Sequence, residues 1–136
     1  MRPLSKIILH CSATNDDLDI DANMIDNWHR KRGWRSIGYH YVIKLDGTLE
    51  FGRRVGDIGA HVASENSGSI GICYIGGLRN DKPCDTMTSE QEMTLIRLVH
   101  ALRFTLGNLS LHGHNEFANK ACPSFDVRKK YAFLIN

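Results

Sequence analysis

Ser5-Lys6-Ile7-Ile8-Leu9-His10-Cys11-Ser12 is the run on which the fold turns. Its apolar stretch has the length of a strand rather than of a helix. Alternation sends Ile7, Leu9 and Cys11 to one face and Ile8, His10 and Ser12 to the other. Cys11 is therefore read as a core thiol pointing away from the side that His10 serves. A buried strand carrying one histidine needs neighbours, and the chain downstream supplies them.

Asn15 to Asp21 is an acidic, polar loop. Asp21 is placed to cap a helix that runs to Arg32, with Met24, Ile25 and Trp28 inward and His29 exposed on the polar side. Gly33 stops it. Gly38 to Leu45 reads as a strand and Thr48 to Phe51 as its return. Between them Asp46-Gly47 suits a two-residue hairpin turn, whose central residues need φ > 0. Arg53 to Ser69 is a long connection rich in Gly, Ser and Asn, and it holds His61. Loops of that length in a compact domain are usually functional or disordered, and small residues would let a ligand approach the backbone.

Ile70 to Ile75 reads as a buried strand closed by Gly76-Gly77. Leu78 to Met87 reads as a second polar loop, with Cys84 as a surface thiol. Thr88-Ser89-Glu90-Gln91 is a capping box. The helix behind it presents Leu95, Val99, Leu102 and Leu106 to a core, holds His100 off that stripe, and ends at Gly107. Leu109 to His112 is a short strand, and Asp126 to Phe133 a last helix. Strands alternating with helices predict one α/β domain over residues 1–136: a mixed β-sheet flanked by helices on both faces.

Bulk properties narrow the function. The 136 residues are 42% hydrophobic with a net charge of +2, ordinary for a globular domain that buries a core. Arg30-Lys31-Arg32, Arg53-Arg54 and Arg128-Lys129-Lys130 are separate clusters, read as solvated faces, so no nucleic-acid partner is expected. No apolar run approaches the length of a membrane span. The N-terminus lacks a signal-peptide core and cleavage site, which predicts synthesis in the cytoplasm. Cys11, Cys73, Cys84 and Cys122 then read as buried thiols or ligands rather than bridges.

The chemistry concentrates in His112-Gly113-His114-Asn115-Glu116-Phe117-Ala118-Asn119-Lys120-Ala121-Cys122-Pro123-Ser124-Phe125-Asp126. Imidazole and thiolate are ligands for a borderline-soft ion such as zinc, and a catalytic zinc takes three protein ligands plus an open position. His10 with His114 and Cys122 would supply that set. Seven residues separate His114 from Cys122, enough for one loop to fold both onto an ion. His112 competes with His114, because Gly113 makes either reachable. A cysteine hydrolase built on Cys122 and His114 is the rival chemistry.

Several motifs together resemble a known family: His10-Cys11-Ser12-Ala13-Thr14, Trp28-His29 followed by Gly33-Trp34, Gly38-Tyr39-His40, Asp46-Gly47-Thr48, Ser69-Ile70-Gly71-Ile72 and Lys120-Ala121-Cys122-Pro123-Ser124-Phe125-Asp126. In order and spacing, over nearly the whole chain, they are similar to the type 2 N-acetylmuramoyl-L-alanine amidases, above all the short phage endolysins. The resemblance implies zinc in a surface groove, held by His10, His114 and Cys122, since the family histidine lies eight positions before the cysteine. It implies Tyr39 and Lys120 as catalytic groups and His61 as a substrate contact. Tyr39 takes a role for which related enzymes use a glutamate; Glu116 is the alternative general base, but two residues from His114 it is expected instead to support a ligand. Asn119 departs from the expected proline.

The implied substrate is peptidoglycan, cut at the amide between N-acetylmuramic acid and L-alanine by a monomer that reaches the wall after crossing the inner membrane. Recognition proteins that bind peptidoglycan without cutting it share the fold, but typically lose the cysteine ligand. Some phage relatives also bind a regulatory protein partner.

Overall fold

Strand β1 (Lys6–Cys11) lies inside the main sheet of the computed structural model, which describes residues 1–135. Its neighbours are β5 (Ser69–Tyr74) and β8 (Ser110–Gly113), both parallel to it. β3 (Tyr41–Ile43) continues the sheet parallel to β5, and β4 (Leu49–Phe51) closes that edge antiparallel to β3. The order is β4-β3-β5-β1-β8, a mixed sheet. Ile7, Ile8 and Leu9 are fully buried, as a strand covered on both faces requires.

The alternation expected for β1 holds. Ile7, Leu9 and Cys11 join Ile70, Ile72, Tyr74 and Leu111 beneath α2 (Ser89–Leu106), which contributes Leu95, Leu98, Val99 and Leu102. Leu106 lies at the margin of this core rather than inside it. Val127 and Tyr131 pack on the same side, from and just beyond α3 (Val127–Lys130). On the other face Val42, Cys73 and Ile75 meet Ile25 of α1 (Ala22–Lys31), Ile20 and Ile37. Helices thus cover both faces of the sheet. Each fully buried Leu or Ile contributes about 1.5–3 kcal/mol, more than the ~1 kcal/mol of a typical cap. The capping box of α2 still sets where that helix begins: Thr88 Oγ1 accepts from the Gln91 N–H, and Gln91 Oε1 from the Thr88 N–H.

Five local expectations change. In α1 the buried residues are Ile25 and His29, an i,i+4 pair, while Met24 and Trp28 are 36% and 37% exposed. The sheet takes a narrower stripe of α1 than its apolar residues suggest. The hairpin loop has three residues, because Lys44 pairs with Thr48; Gly47 alone takes positive φ, at 87°, after a turn closed by its N–H on Lys44 O. Asp46 Oδ1 instead accepts from the Thr48 N–H. The strand expected from Gly38 is regular only over Tyr41–Ile43, since the carbonyls of Gly38, Tyr39 and His40 are claimed by Ala60, Arg53 and Gly52 of the following loop. Within 78–87, β6 (Gly77–Arg79) and β7 (Lys82–Pro83) form a hairpin turning at Asn80 and Asp81, both at positive φ, and β6 also pairs with β2 (Thr14–Asn15). The last helix ends at Lys130, with a 3₁₀ turn over Ala132–Leu134.

Candidate metal centre and groove

β1 and β8 run side by side and end at the same edge of the sheet, which brings His10 and His114 together. His10 sits at the end of β1, 1% exposed, on the α1 side of the sheet. His114 follows β8 directly, opening a 3₁₀ turn. Cys122 returns on the next loop and seats its Sγ 3.9 Å from His10 Nδ1. One ligand atom each from His10, His114 and Cys122 lies within 4.8 Å of the others.

The imidazoles here are neutral. Burial lowers the His10 pKa well below its ordinary value, helped by the charges that His61 and His114 would carry. Burial also lowers His114, with the Lys120 charge adding to the effect. Neutral imidazole is the form that binds a metal. Hydrogen bonding with the Cys11 side chain, then burial, push the Cys122 thiol up, with the Cys11 backbone N–H acting the other way, so its thiolate calls for a cation beside it. The Cys11 side chain stays in the core as expected, yet its backbone N–H points at Cys122 Sγ, 3.2 Å away.

His112 does not compete. Its Nδ1 lies 2.8 Å from Glu116 Oε1 and its Nε2 2.7 Å from Ser110 Oγ. Glu116 also accepts from the Gly113 N–H, so it braces His112 and the turn rather than a ligand. That corrects the expectation for Glu116.

His114 and Cys122 open onto a groove of about 850 Å³, with His10 buried behind them; Trp28, Arg32, Trp34, Tyr39, His61 and Lys120 are among its other lining residues. Tyr39 stands beside His10, ring centroids 5.0 Å apart. Burial raises its phenol well above the ordinary value, so it keeps its proton at neutral pH. Lys120 is exposed on the rim. Arg32 stacks over Trp34 at 5.6 Å. His61 lines the wall, but its ring is held by the protein: Nδ1 lies 2.8 Å from His10 Nε2, and Nε2 3.3 Å from Ser69 Oγ.

His29 was missed. It is 6% exposed, not solvent-facing, and its Nδ1 accepts the Gly38 N–H at 2.9 Å. Its ring contacts both Trp34 and Tyr39, at 4.5 and 5.6 Å between centroids. It thereby fixes the backbone just before Tyr39. The spacing to Ile25 was the signal available for this.

The set suits zinc. Two imidazoles and a thiolate match the ion's preferences, and a tetrahedral site separates its ligand atoms by roughly 3.4–3.7 Å. A small contraction from the observed spacing reaches that geometry. With His10 buried behind His114 and Cys122, a fourth position would face the groove that those two line. Such a ligand set is the kind that hydrolases with a catalytic metal use.

Comparison with known proteins gives the family. The family model for N-acetylmuramoyl-L-alanine amidase matches residues 1–125. An endolysin of Enterobacteria phage K11 is 39% identical over 126 residues, 92% of this chain and 83% of the relative. A peptidoglycan-recognition protein of Drosophila melanogaster is 32% identical over 132 residues, 93% of this chain and 72% of the relative. Among solved structures, N-acetylmuramoyl-L-alanine amidase LysC from Clostridium intestinale URNW aligns with a TM-score of 0.82 at 27% identity, covering 96% of this chain and 87% of that one. The chain belongs to the N-acetylmuramoyl-L-alanine amidase family, and its enzymatic class is that of an amidase.

Proposed function

We propose that this chain is a zinc-dependent peptidoglycan hydrolase of the endolysin type, cleaving the amide between the lactyl group of N-acetylmuramic acid and L-alanine. The observation that carries this reading is the convergence of His10, His114 and Cys122 to within 4.8 Å, with His114 and Cys122 lining an open groove. Zinc, when bound, would polarise the scissile carbonyl and lower the pKa of a water towards about 7.

The chain's own groups do the rest. Tyr39 retains its hydroxyl proton and can orient the attacking water or donate to the carbonyl oxygen. Lys120 brings an ammonium to the charge that develops on that oxygen. No Asp or Glu lines the groove, so nothing among its lining residues neutralises Lys120. Glycoside cleavage needs two carboxyl groups flanking the sugar bond, and the same lining supplies neither. Among the described residues no helix is long and apolar enough to cross a membrane. The proposed substrate is wall material outside the bilayer.

A recognition module is the competing class, given the similarity to a peptidoglycan-recognition protein. The presence of Cys122 with Tyr39 and Lys120 supports the enzyme. Incubation with purified peptidoglycan should release stem peptides bearing a free L-alanine amino group and leave the glycan strands intact. Mass spectrometry of the soluble products, with a chelator-treated control, reads this. New reducing ends without new amino groups would make it a glycosidase. Binding without products, with zinc shown to be present, would make it a recognition protein.

A further inference from the structure

His10 has two ring nitrogens, and only one can hold a metal. A chain of hydrogen bonds behind it ends on a group that can only accept: Ser69 Oγ lies 2.8 Å from the Glu65 carbonyl oxygen. Ser69 must therefore donate its single proton there. Its lone pair is left to accept from His61 Nε2, 3.3 Å away, which puts the His61 proton on that nitrogen. His61 Nδ1 is then an acceptor, and its partner at 2.8 Å, His10 Nε2, must be the donor. The lone pair of His10 is thus on Nδ1, the nitrogen 3.9 Å from Cys122 Sγ.

The position of His61 is fixed independently of these bonds. A Cβ on Gly71 would lie 2.7 Å from His61 Cγ, and one on Gly59 2.8 Å from His61 Cδ2, so two bare backbone positions make the slot for its ring. Asn66 Oδ1 accepts the backbone N–H groups of both His61 and Val62, tying down the loop. Its ring meets that of His10 edge-on, at 85°.

We infer that His61 is a positioning residue: with Ser69 and the Glu65 carbonyl it fixes the tautomer and orientation of His10, so that Nδ1 is the ligand nitrogen. With both His61 nitrogens engaged inside the protein, this role replaces that of a substrate contact. It rests on the metal reading proposed above. Groups that hold the far nitrogen of a metal-bound histidine typically change metal affinity 10–100-fold.

The test combines nitrogen NMR of the histidines with zinc affinity measured by chelator competition. Metal-free protein should show His10 protonated at Nε2 and His61 also at Nε2, and zinc should perturb His10 Nδ1. His61→Phe should lower zinc affinity by roughly 10–100-fold with an unchanged circular dichroism spectrum. His61→Gln, whose amide oxygen can still accept, should recover most of it, and Ser69→Ala should lower affinity less than His61→Phe. Protonation of His10 at Nδ1 would overturn the inference, as would wild-type zinc affinity in His61→Phe with only KM raised. If the wild-type chain took no zinc, the metal reading would fall, while the metal-free spectrum would still decide the tautomer. That spectrum also decides the matter if His61→Phe does not fold.

Discussion

The backbone N–H of Cys11 and the Sγ of Cys122 are 3.2 Å apart, joining the inner strand of the sheet to a loop more than a hundred residues later. β1 thus delivers two groups to one place: the His10 imidazole on its side chain and an amide donor on its backbone. A hydrogen bond to the charged form of sulfur favours thiolate, against the effect of burial. Burial and the Cys11 side chain still hold the Cys122 pKa up, so a cation beside the sulfur would favour the thiolate further.

That arrangement predicts metal content. Purified protein should carry about one zinc per chain by metal analysis. His114→Ala and Cys122→Ala should each lower the occupancy sharply. His112→Ala should largely keep it, because His112 is engaged with Ser110 and Glu116. Equal loss in all three variants would show that the wrong histidine was assigned.

Tyr39 and Lys120 separate chemistry from metal binding. Tyr39→Phe and Lys120→Ala leave all three ligands in place, so both should fold and keep zinc. Each should lose about 10²–10³ in turnover on peptidoglycan, the scale for one donor to a developing oxyanion. Near-normal turnover in both would remove them from the mechanism.

Much of this was legible in the sequence because it depends on short-range rules. The alternation in β1, the capping box at Thr88 and the spacing from His114 to Cys122 are all local patterns, and the family motifs supplied the choice between His112 and His114. What escaped depends on long-range partners. His29 looked polar and exposed because nothing in its own helix shows that Gly38 arrives with an unpaired N–H. The role of Glu116 hung on which histidine turned away. The hairpin loop gained a residue because Lys44 pairs with Thr48 and only Gly47 adopts positive φ, details that Asp-Gly alone does not encode.

The burial of His29 predicts a pH dependence of stability. Burial, then the charges of Arg32 and Arg53, lower its pKa to about 4 in the folded chain, against about 6.5 in an unfolded one. Between those values the unfolded state binds the extra proton, so stability rises with pH across the window and falls on acidification through it. Below about 4 the folded state is protonated as well, and the loss from this residue levels off. His29→Gln keeps an acceptor for the Gly38 N–H without a titrating ring. Thermal melts of the zinc-free proteins should show wild type losing more stability than His29→Gln between about pH 6.5 and pH 4. Parallel curves would mean that the ring is not held neutral.

Gly71 links the sheet to the candidate metal centre and allows a test that leaves every polar group in place. It lies on β5 opposite Ile8, and its N–H donates to His40 Nδ1 at 3.0 Å. Its backbone is not in the left-handed region, so alanine adds no conformational strain there. The new methyl would instead press on the His61 ring, 2.7 Å from Cγ and 3.0 Å from Nδ1. Those atoms are at the root of the ring, so a rotamer change alone cannot clear them; ring and loop must shift together. Overpacking of this kind costs about 1–3 kcal/mol, and denaturant unfolding of Gly71→Ala should show a loss of that size. The displacement should also draw His61 away from His10 and weaken zinc binding, although no ligand has changed. A variant that lost stability but kept full zinc affinity would show that His10 holds its orientation without His61.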